Sequence, residues 1–175
     1  MDYETLSNCF VAVFKHYKTD ETHIFSVCSL QNDYEKFTEF LKQNKKNKEW
    51  HISYNGLAFD AQVTHNIMKN HKNLLLMDGE SIAEEIYSYA QRAITNSNNN
   101  EFQDFPEWKM NIQQIDLFKL NHWDNPAKRS SLKWIEYTMD WQNILDMPIH
   151  HETKITKQKQ LDVIIGYCIN DVDAT

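Results

Sequence analysis

Two acids near the start of the chain, Asp2 and Glu4, stand one residue apart in Asp2-Tyr3-Glu4-Thr5. If this stretch is a strand, side chains alternate and both carboxylates emerge close together on one face. Like charges held side by side repel, and a hard cation between them relieves the repulsion, since Mg²⁺ and Mn²⁺ prefer carboxylate and water oxygens. An Asp-x-Glu pair is common on protein surfaces, so the rest of the chain has to supply further ligands. Near the other end, Leu161, Ile164, Ile165, Cys168 and Ile169 repeat with the spacing of a helix that buries one face. At about 100° per residue, Tyr167 and Asp171 project side by side at the edge of that face, whereas Asp162 and Asp173 point away. A tyrosine one turn before an aspartate brings a phenolic oxygen within reach of a water bound to a metal that the aspartate holds.

A third acid, Asp60, depends on the elements between. Cys9-Phe10-Val11-Ala12-Val13-Phe14 and Thr22-His23-Ile24-Phe25-Ser26-Val27 flank a polar segment and read as a β-hairpin. Tyr34, Phe37, Phe40 and Leu41 recur at helical spacing behind Asn32 or Asp33 as the cap. Trp50-His51-Ile52-Ser53-Tyr54 reads as a short strand ending at Asn55-Gly56, where glycine permits a sharp turn. Phe59, Val63 and Ile67 then repeat every four residues, which puts Asp60 in the first turn of the next helix, just beyond a strand end. In open α/β sheets ligands collect at such a place.

Farther on, Ser81-Ile82-Ala83-Glu84 has capping-box spacing and predicts a helix with Ile82, Ile86, Ala90 and Ala93 on its core face. Asn96-Ser97-Asn98-Asn99-Asn100 reads as a polar loop, Ile115-Asp116-Leu117-Phe118 as a last strand, and Ser131 as the cap of a helix carrying Leu132, Ile135 and Met139. The chain has no internal repeat.

The 175 residues are 41% hydrophobic, 25% charged and 13% aromatic, the make-up of one folded domain rather than a disordered segment. No run approaches the ~20 apolar residues a membrane-spanning helix needs, and residues 1 to 20 lack a signal-peptide layout, so no membrane and a cytoplasmic location are expected. Cys9, Cys28 and Cys168 are widely spaced without a CxxC pair and read as small buried residues in a reducing compartment. A net charge of −7 excludes a broad basic surface as the main hold on nucleic acid. Metal ions in a carboxylate cluster would invert the sign of the local field instead. The pair His150-His151 lacks the spacing of a metal-binding helix and reads as surface or loop. Lys128, Arg129, Lys133, Lys154, Lys157 and Lys159 read as solvated surface, able to guide a phosphate backbone.

Asp2-Tyr3-Glu4-Thr5, Tyr54-Asn55-Gly56-Leu57-Ala58-Phe59-Asp60 and Tyr167-Cys168-Ile169-Asn170-Asp171-Val172 resemble, in order, the three exonuclease motifs of the DEDD superfamily. The likeness is to the proofreading domain of family B DNA polymerases and related phage exonucleases, and with Ile115-Asp116-Leu117-Phe118 and Ser131-Leu132-Lys133 between the motifs it spans nearly the whole chain. One branch of the superfamily has a histidine five residues before the last aspartate, where this chain has Gly166. The other has a tyrosine four before it, which here is Tyr167, so the chain resembles the tyrosine branch.

The resemblance implies an α/β, RNase H-like mixed sheet: three antiparallel strands first, a parallel extension, and helices on both faces. It implies two-metal hydrolysis, with Mg²⁺ or Mn²⁺ ions roughly 3.5–4 Å apart. Asp2 would bridge both ions, Glu4 and Asp171 would complete the shell nearer the nucleophile, Asp60 would hold the other ion partly through water, and Tyr167 would orient the attacking water. Leu6, Asn55 and Phe59 would contact the terminal nucleotides, because a frayed end is gripped by stacking without sequence readout. The substrate implied is the 3′ end of single-stranded or frayed DNA, with RNA also open because discrimination rests on a few contacts at the sugar 2′ position. A polymerase module or replication partner goes with the proofreading likeness, and a phage-encoded enzyme would act in the host cytoplasm.

In that fold several apolar residues precede the first aspartate on a central strand, and here only Met1 does. The chain also stops four residues after Asp171. The expectation is a single exonuclease domain over residues 1–175, with both edges reading as cut and a short first strand. Two readings compete: a catalytically silent RNase H-like module that binds nucleic acid or protein, and a glycoside hydrolase using paired carboxylates. Retention of all four acids and the tyrosine counts against the first, and the fold-wide nuclease pattern counts against the second.

Overall fold

The computed structural model of the chain describes residues 1–122 and 130–175. Among them are two small sheets. In the first, β1 (Asp2–Leu6), β2 (Cys9–Lys15) and β3 (Thr22–Val27) run antiparallel in the order β1-β2-β3. In the second, β4 (Trp50–Ser53) lies parallel to β5 (Gln113–Asp116), with Ile52 opposite Ile115. Six α-helices accompany them: α1 (Tyr34–Asn47), α2 (Asp60–Leu74), α3 (Gly79–Asn98), α4 (Leu117–Asn121), α5 (Leu132–Thr138) and α6 (Gln158–Ala174).

Alternation along the strands divides the core in two. Tyr3, Phe10, Phe14 and Phe25 point to one face and pack with Phe37 and Leu41 of α1, Ile67 of α2 and Ile82 and Ile86 of α3. Their rings meet edge-on or tilted, with Tyr3 5.2 Å from Phe10 and 5.9 Å from Phe37 between centroids. Such pairs add about 0.5–1.5 kcal/mol each beyond the area they bury. Leu6, Val11 and Val13 point to the other face and meet Leu161, Ile164, Cys168 and Val172 of α6. Helices therefore cover both faces, as expected. β2 is buried on both sides from Cys9 to Phe14, which is why its sequence is a continuous apolar run.

The expected single mixed sheet is divided. The two sheets meet at one backbone bond, from the Met1 nitrogen to the Ile52 carbonyl, 2.8 Å. β1 begins at Asp2, so Met1 alone continues its line beside β4.

Helix α3 starts two residues before the predicted box. Asp78 is its cap, accepting from the Ser81 amide at 3.0 Å, and the Ser81 hydroxyl bonds back to Asp78. The stretch expected as a polar loop is helical through Asn98, because Asn100 adopts φ 55° and folds the chain back, with Glu101 N–H bonding to the Asn96 carbonyl. Asparagine tolerates that left-handed conformation almost as glycine does. The last strand ends at Asp116, and Leu117 and Phe118 open α4 instead. Ser131 caps α5 through Trp134, as predicted.

Candidate functional site

Strand alternation sends Asp2 and Glu4 to the face that α6 covers, and α6 brings Asp171 to meet them. One carboxylate oxygen from each of Asp2, Glu4 and Asp171 lies within 4.8 Å of the others. Leucine and isoleucine packing under α6 fixes this approach. So does Asn8 in the β1–β2 turn, whose amide clasps Ile155 ahead of α6, accepting from its N–H at 2.8 Å and donating to its carbonyl at 3.1 Å.

Asp60 arrives from another direction. It is the first residue of α2, as predicted, where the helix dipole favours a negative charge. The loop that delivers it is tied down by Asp116 at the end of β5. Its carboxylate accepts from Asn55 N–H at 2.9 Å, Leu57 N–H at 3.1 Å and Phe118 N–H at 2.9 Å. Asn55, not Gly56, takes the left-handed turn conformation, at φ 58°. Gly56 is needed for space: a Cβ there would stand 1.9 Å from Ser53 Oγ and 3.1 Å from Asp60 Oδ2. Asp60 is buried, with Oδ1 lacking a hydrogen-bond partner among the described residues. It stands outside the tight group of three but close enough for its charge to act on Asp2 and Glu4.

Burial raises every member of the set, and repulsion adds to it at Asp2, Glu4 and Asp60. Asp2 is pushed up to about 7, by burial first and then by Asp171. Glu4 is held well above the usual carboxylate range by burial and by Asp2, and Asp60 by the same two causes. Asp171 is raised by burial, with the Tyr167 hydroxyl beside it acting in the opposite sense. Tyr167 is itself held above the ordinary phenol range by burial and by Asp171. Lys133 on α5 is the cation that offsets Glu4 and Asp171, and its ammonium pairs with Asp146 at 2.5 Å.

A cleft of about 520 Å³ opens over Asp2, Glu4 and Asp60, lined also by Asn55 and Phe59, while Asp171 and Tyr167 lie outside its lining. Asn55 and Phe59, expected as nucleotide contacts, both line this cleft. Leu6 needs correction as a nucleotide contact. It is fully buried between β1 and α6 and lines no part of the cleft, because α6 covers the strand's acidic face from that residue on.

Three participants escaped the sequence reading. The Cys168 thiol approaches the carbonyl of Asp2 at 3.4 Å and its Oδ2 at 3.5 Å. Asp116 had been read only as a strand residue. Glu136 on α5 is 1% exposed, both its oxygens lack partners among the described residues, and burial and Asp171 raise it above the usual carboxylate range. An acid three residues after a lysine on a capped helix carries no sequence signal of burial. His151, read as surface or loop, also lines the cleft. Of the basic residues, Lys154 pairs with Glu80 and Glu84, while Lys128 and Arg129 lie outside the described residues. All three cysteines are free and buried, and among the described residues no helix is long and apolar enough to cross a membrane.

The donor set is four carboxylates and a phenol, all hard oxygens, with one buried carboxylate oxygen unsatisfied. That chemistry fits Mg²⁺ or Mn²⁺ and disfavours soft metals. No family model, curated protein or solved structure matches the chain.

Proposed function

We propose that the chain is a metal-dependent 3′→5′ exonuclease of the DEDD superfamily's tyrosine branch, built on an RNase H-like fold. The observation that carries this reading is the convergence of Asp2 and Glu4 from one end of the chain with Asp171 from the other, their oxygens within 4.8 Å. Residues so distant in sequence do not assemble an acidic cluster by local chance, and the cluster opposes folding unless a cation joins it.

Asp2, Glu4 and Asp171 would hold one divalent ion, and Asp2 with Asp60 a second. Bound there, the ions would supply an activated water and charge stabilisation at the phosphodiester. The protein's own groups do the rest. Tyr167, beside Asp171, orients the attacking water through its hydroxyl, and because it stays protonated far above neutral pH it acts as a donor and acceptor, not as a base. Phe59 and Asn55 at the cleft hold a terminal nucleotide, the ring by stacking. The acidic lining repels a phosphate backbone until ions are present, which makes substrate binding depend on metal.

The substrate class is the 3′ end of single-stranded or frayed DNA, with RNA a related possibility to be measured, and the setting is cytoplasmic, beside a polymerase module or replication partner. Support for these finer points is the ordered motif resemblance.

The test is cleavage of a labelled single-stranded DNA oligonucleotide in Mg²⁺, Mn²⁺ or EDTA, comparing the chain with Asp171→Ala. Stepwise loss from the 3′ end that needs both metal and Asp171 is expected. A folded chain that leaves the oligonucleotide intact in both metals would sink the enzymatic reading and favour a silent binding module.

A further inference from the structure

Cys9 opens β2 and Cys28 directly follows β3, and neither belongs to the acidic site. The strand register sets them face to face. His16 N–H bonds to the carbonyl of Glu21, its direct opposite across the hairpin, so even-numbered residues of β2 exchange bonds with β3 and odd-numbered ones turn their backbone to β1. Phe10 lies opposite Val27. One step farther, Cys9 stands opposite Cys28 at a position without backbone bonds between the two strands, where antiparallel partners come closest, with Cα atoms about 4.5 Å apart. Both side chains leave the sheet on the face that α6 covers, in the cluster of Leu6, Val11 and Ile155. There the Cys9 thiol donates to the Cys28 sulfur. A disulfide spans Cα atoms roughly 4.4–6.8 Å apart whose side chains converge, and this pair meets both conditions with the backbone as it stands.

The two sulfurs are not equivalent. Cys28 receives the backbone N–H groups of Leu30 and Gln31 as well as the Cys9 thiol, and these donors hold it down to about 6, the Cys9 thiol foremost, against burial and the charge of Glu80. Cys9 is pushed far up, by its bond to Cys28 first and by burial next. Cys28 is thus the thiolate and the nucleophile, and Cys9 the thiol that keeps its proton. Although Cys28 is only 1% exposed, the four residues after it, Ser29 to Asn32, form an exposed turn closed by the bond from Cys28 N–H to the Gln31 carbonyl, 2.8 Å. Local opening of that turn uncovers the sulfur and leaves the core in place.

We infer that Cys9 and Cys28 are a redox modification site, which a peroxide converts to a cross-strand disulfide and a dithiol restores. The Cys28 thiolate attacks one peroxide oxygen, the O–O bond breaks, hydroxide leaves, and the sulfur becomes a sulfenic acid. Cys9 gives its proton to that hydroxide and attacks the Cys28 sulfur. The S–S bond forms, the S–O bond breaks, and the second hydroxide takes up the proton that Cys28 had released. Two thiols are oxidised, and one peroxide is reduced to two waters. Reversal is thiol–disulfide exchange, in which the dithiol itself becomes the disulfide. In a reducing compartment such a bond is transient, which suits a sensor and not a staple.

The test treats the full chain, dilute and in EDTA, with hydrogen peroxide, then unfolds it in a thiol alkylator and digests it for mass spectrometry. Two of the three thiols should be lost, in one peptide pair joined through Cys9 and Cys28, with Cys168 alkylated and all three recovered after dithiothreitol. Cys9→Ser should halt at the sulfenic acid of Cys28, trapped by a cyclic diketone such as dimedone, and Cys28→Ser should leave Cys9 reduced. Circular dichroism checks that each variant is folded. Three free thiols after peroxide, a cross-link that takes in Cys168 as readily as Cys9 and Cys28, or a bond between Cys9 and Cys28 that forms only in urea would overturn the inference. Those readings come from the unsubstituted chain, so they decide the matter even where a variant does not fold.

Discussion

Replacing Asp2 with Asn separates what the acidic cluster does for stability from what it does for chemistry. In the unfolded chain Asp2 titrates near 3.8, and in the fold near 7. The folded state therefore holds the proton more tightly, and metal-free stability falls as pH rises from about 4 to about 7. A difference of about three pH units corresponds to roughly 4 kcal/mol. Because Asp171 and Glu4 repel the same charge, the share recovered by removing Asp2 alone is about 2–4 kcal/mol, or roughly 5–15 °C in Tm for a chain of this size.

Asp2→Asn should thus melt higher than the unsubstituted chain at pH 8 in EDTA. The two should converge toward pH 4, where the native acid is neutral as well. Asp33, whose carboxyl is lowered with Lys36 and Gln31 as partners, acts below that window and does not blur it. Adding Mn²⁺ at pH 8 should stabilise the unsubstituted chain and leave the variant nearly unmoved, because the variant lacks the central ligand. Circular dichroism melts at pH 4, 6 and 8, with and without metal, read all of this. A variant less stable at pH 8, or a gap that does not change with pH, would refute the reasoning.

Three further outcomes follow from the same geometry. Tyr167→Phe should lower cleavage about 10²-fold, with melting changed by less than about 1 kcal/mol, because it removes a water-orienting hydroxyl and little packing; unchanged single-turnover rates would take Tyr167 out of the chemistry. Gly56→Ala should destabilise by about 1–3 kcal/mol in urea melts, since its Cβ meets Ser53 Oγ at 1.9 Å, and Ser53→Gly in the same chain should recover part of the loss. Asn8→Ala leaves the N–H and carbonyl of Ile155 unpaired in the core and should cost about 1–3 kcal/mol; its denaturant midpoint checks this.

Local pattern made much of this fold readable. The apolar runs of β2 and β3, the Ser131 cap of α5 and the long face of α6 each lie within one segment, and each emerged where expected, whereas the α5 repeat stops short because the helix ends at Thr138 and leaves Met139 exposed. Asp60 at the head of α2 was legible for the same reason. The parts that were not legible depend on contacts between distant segments. Asp116 orders the Asn55 turn from across the β4–β5 pair, and nothing in its own neighbourhood marks it as the acceptor of three amides. Leu6 was expected at the nucleotide from the motif resemblance, but only the position of α6 decides where cleft gives way to core. The start of α3 moved because two residues, Asp78 and Ser81, both suit a cap, and Asp78 reaches the amide that Ser81 offers.

The electrostatics of the acidic cluster bear on what it is for. Elsewhere apolar residues point inward, whereas here four acids are raised by burial, and three of them, Asp2, Glu4 and Asp60, by their neighbours as well. A purely structural cluster of carboxylates is ordinarily neutralised by arginine, whose fork occupies the carboxylate lone pairs. In this cluster the orienting groups are neutral: the Cys168 thiol toward Asp2 and the Tyr167 hydroxyl beside Asp171. Lys133, a side-chain cation that offsets Glu4 and Asp171, is already engaged by Asp146. Neutral donors aim the oxygens but leave lone pairs free, and Asp60 Oδ1 has no donor among the described residues. An arrangement that conflicts with folding and keeps its acceptors open gains from a cation supplied from outside the chain. That is the arrangement the proposed metal centre calls for, and metal-dependent stabilisation of the chain is the observation that separates it from a cluster without an ion.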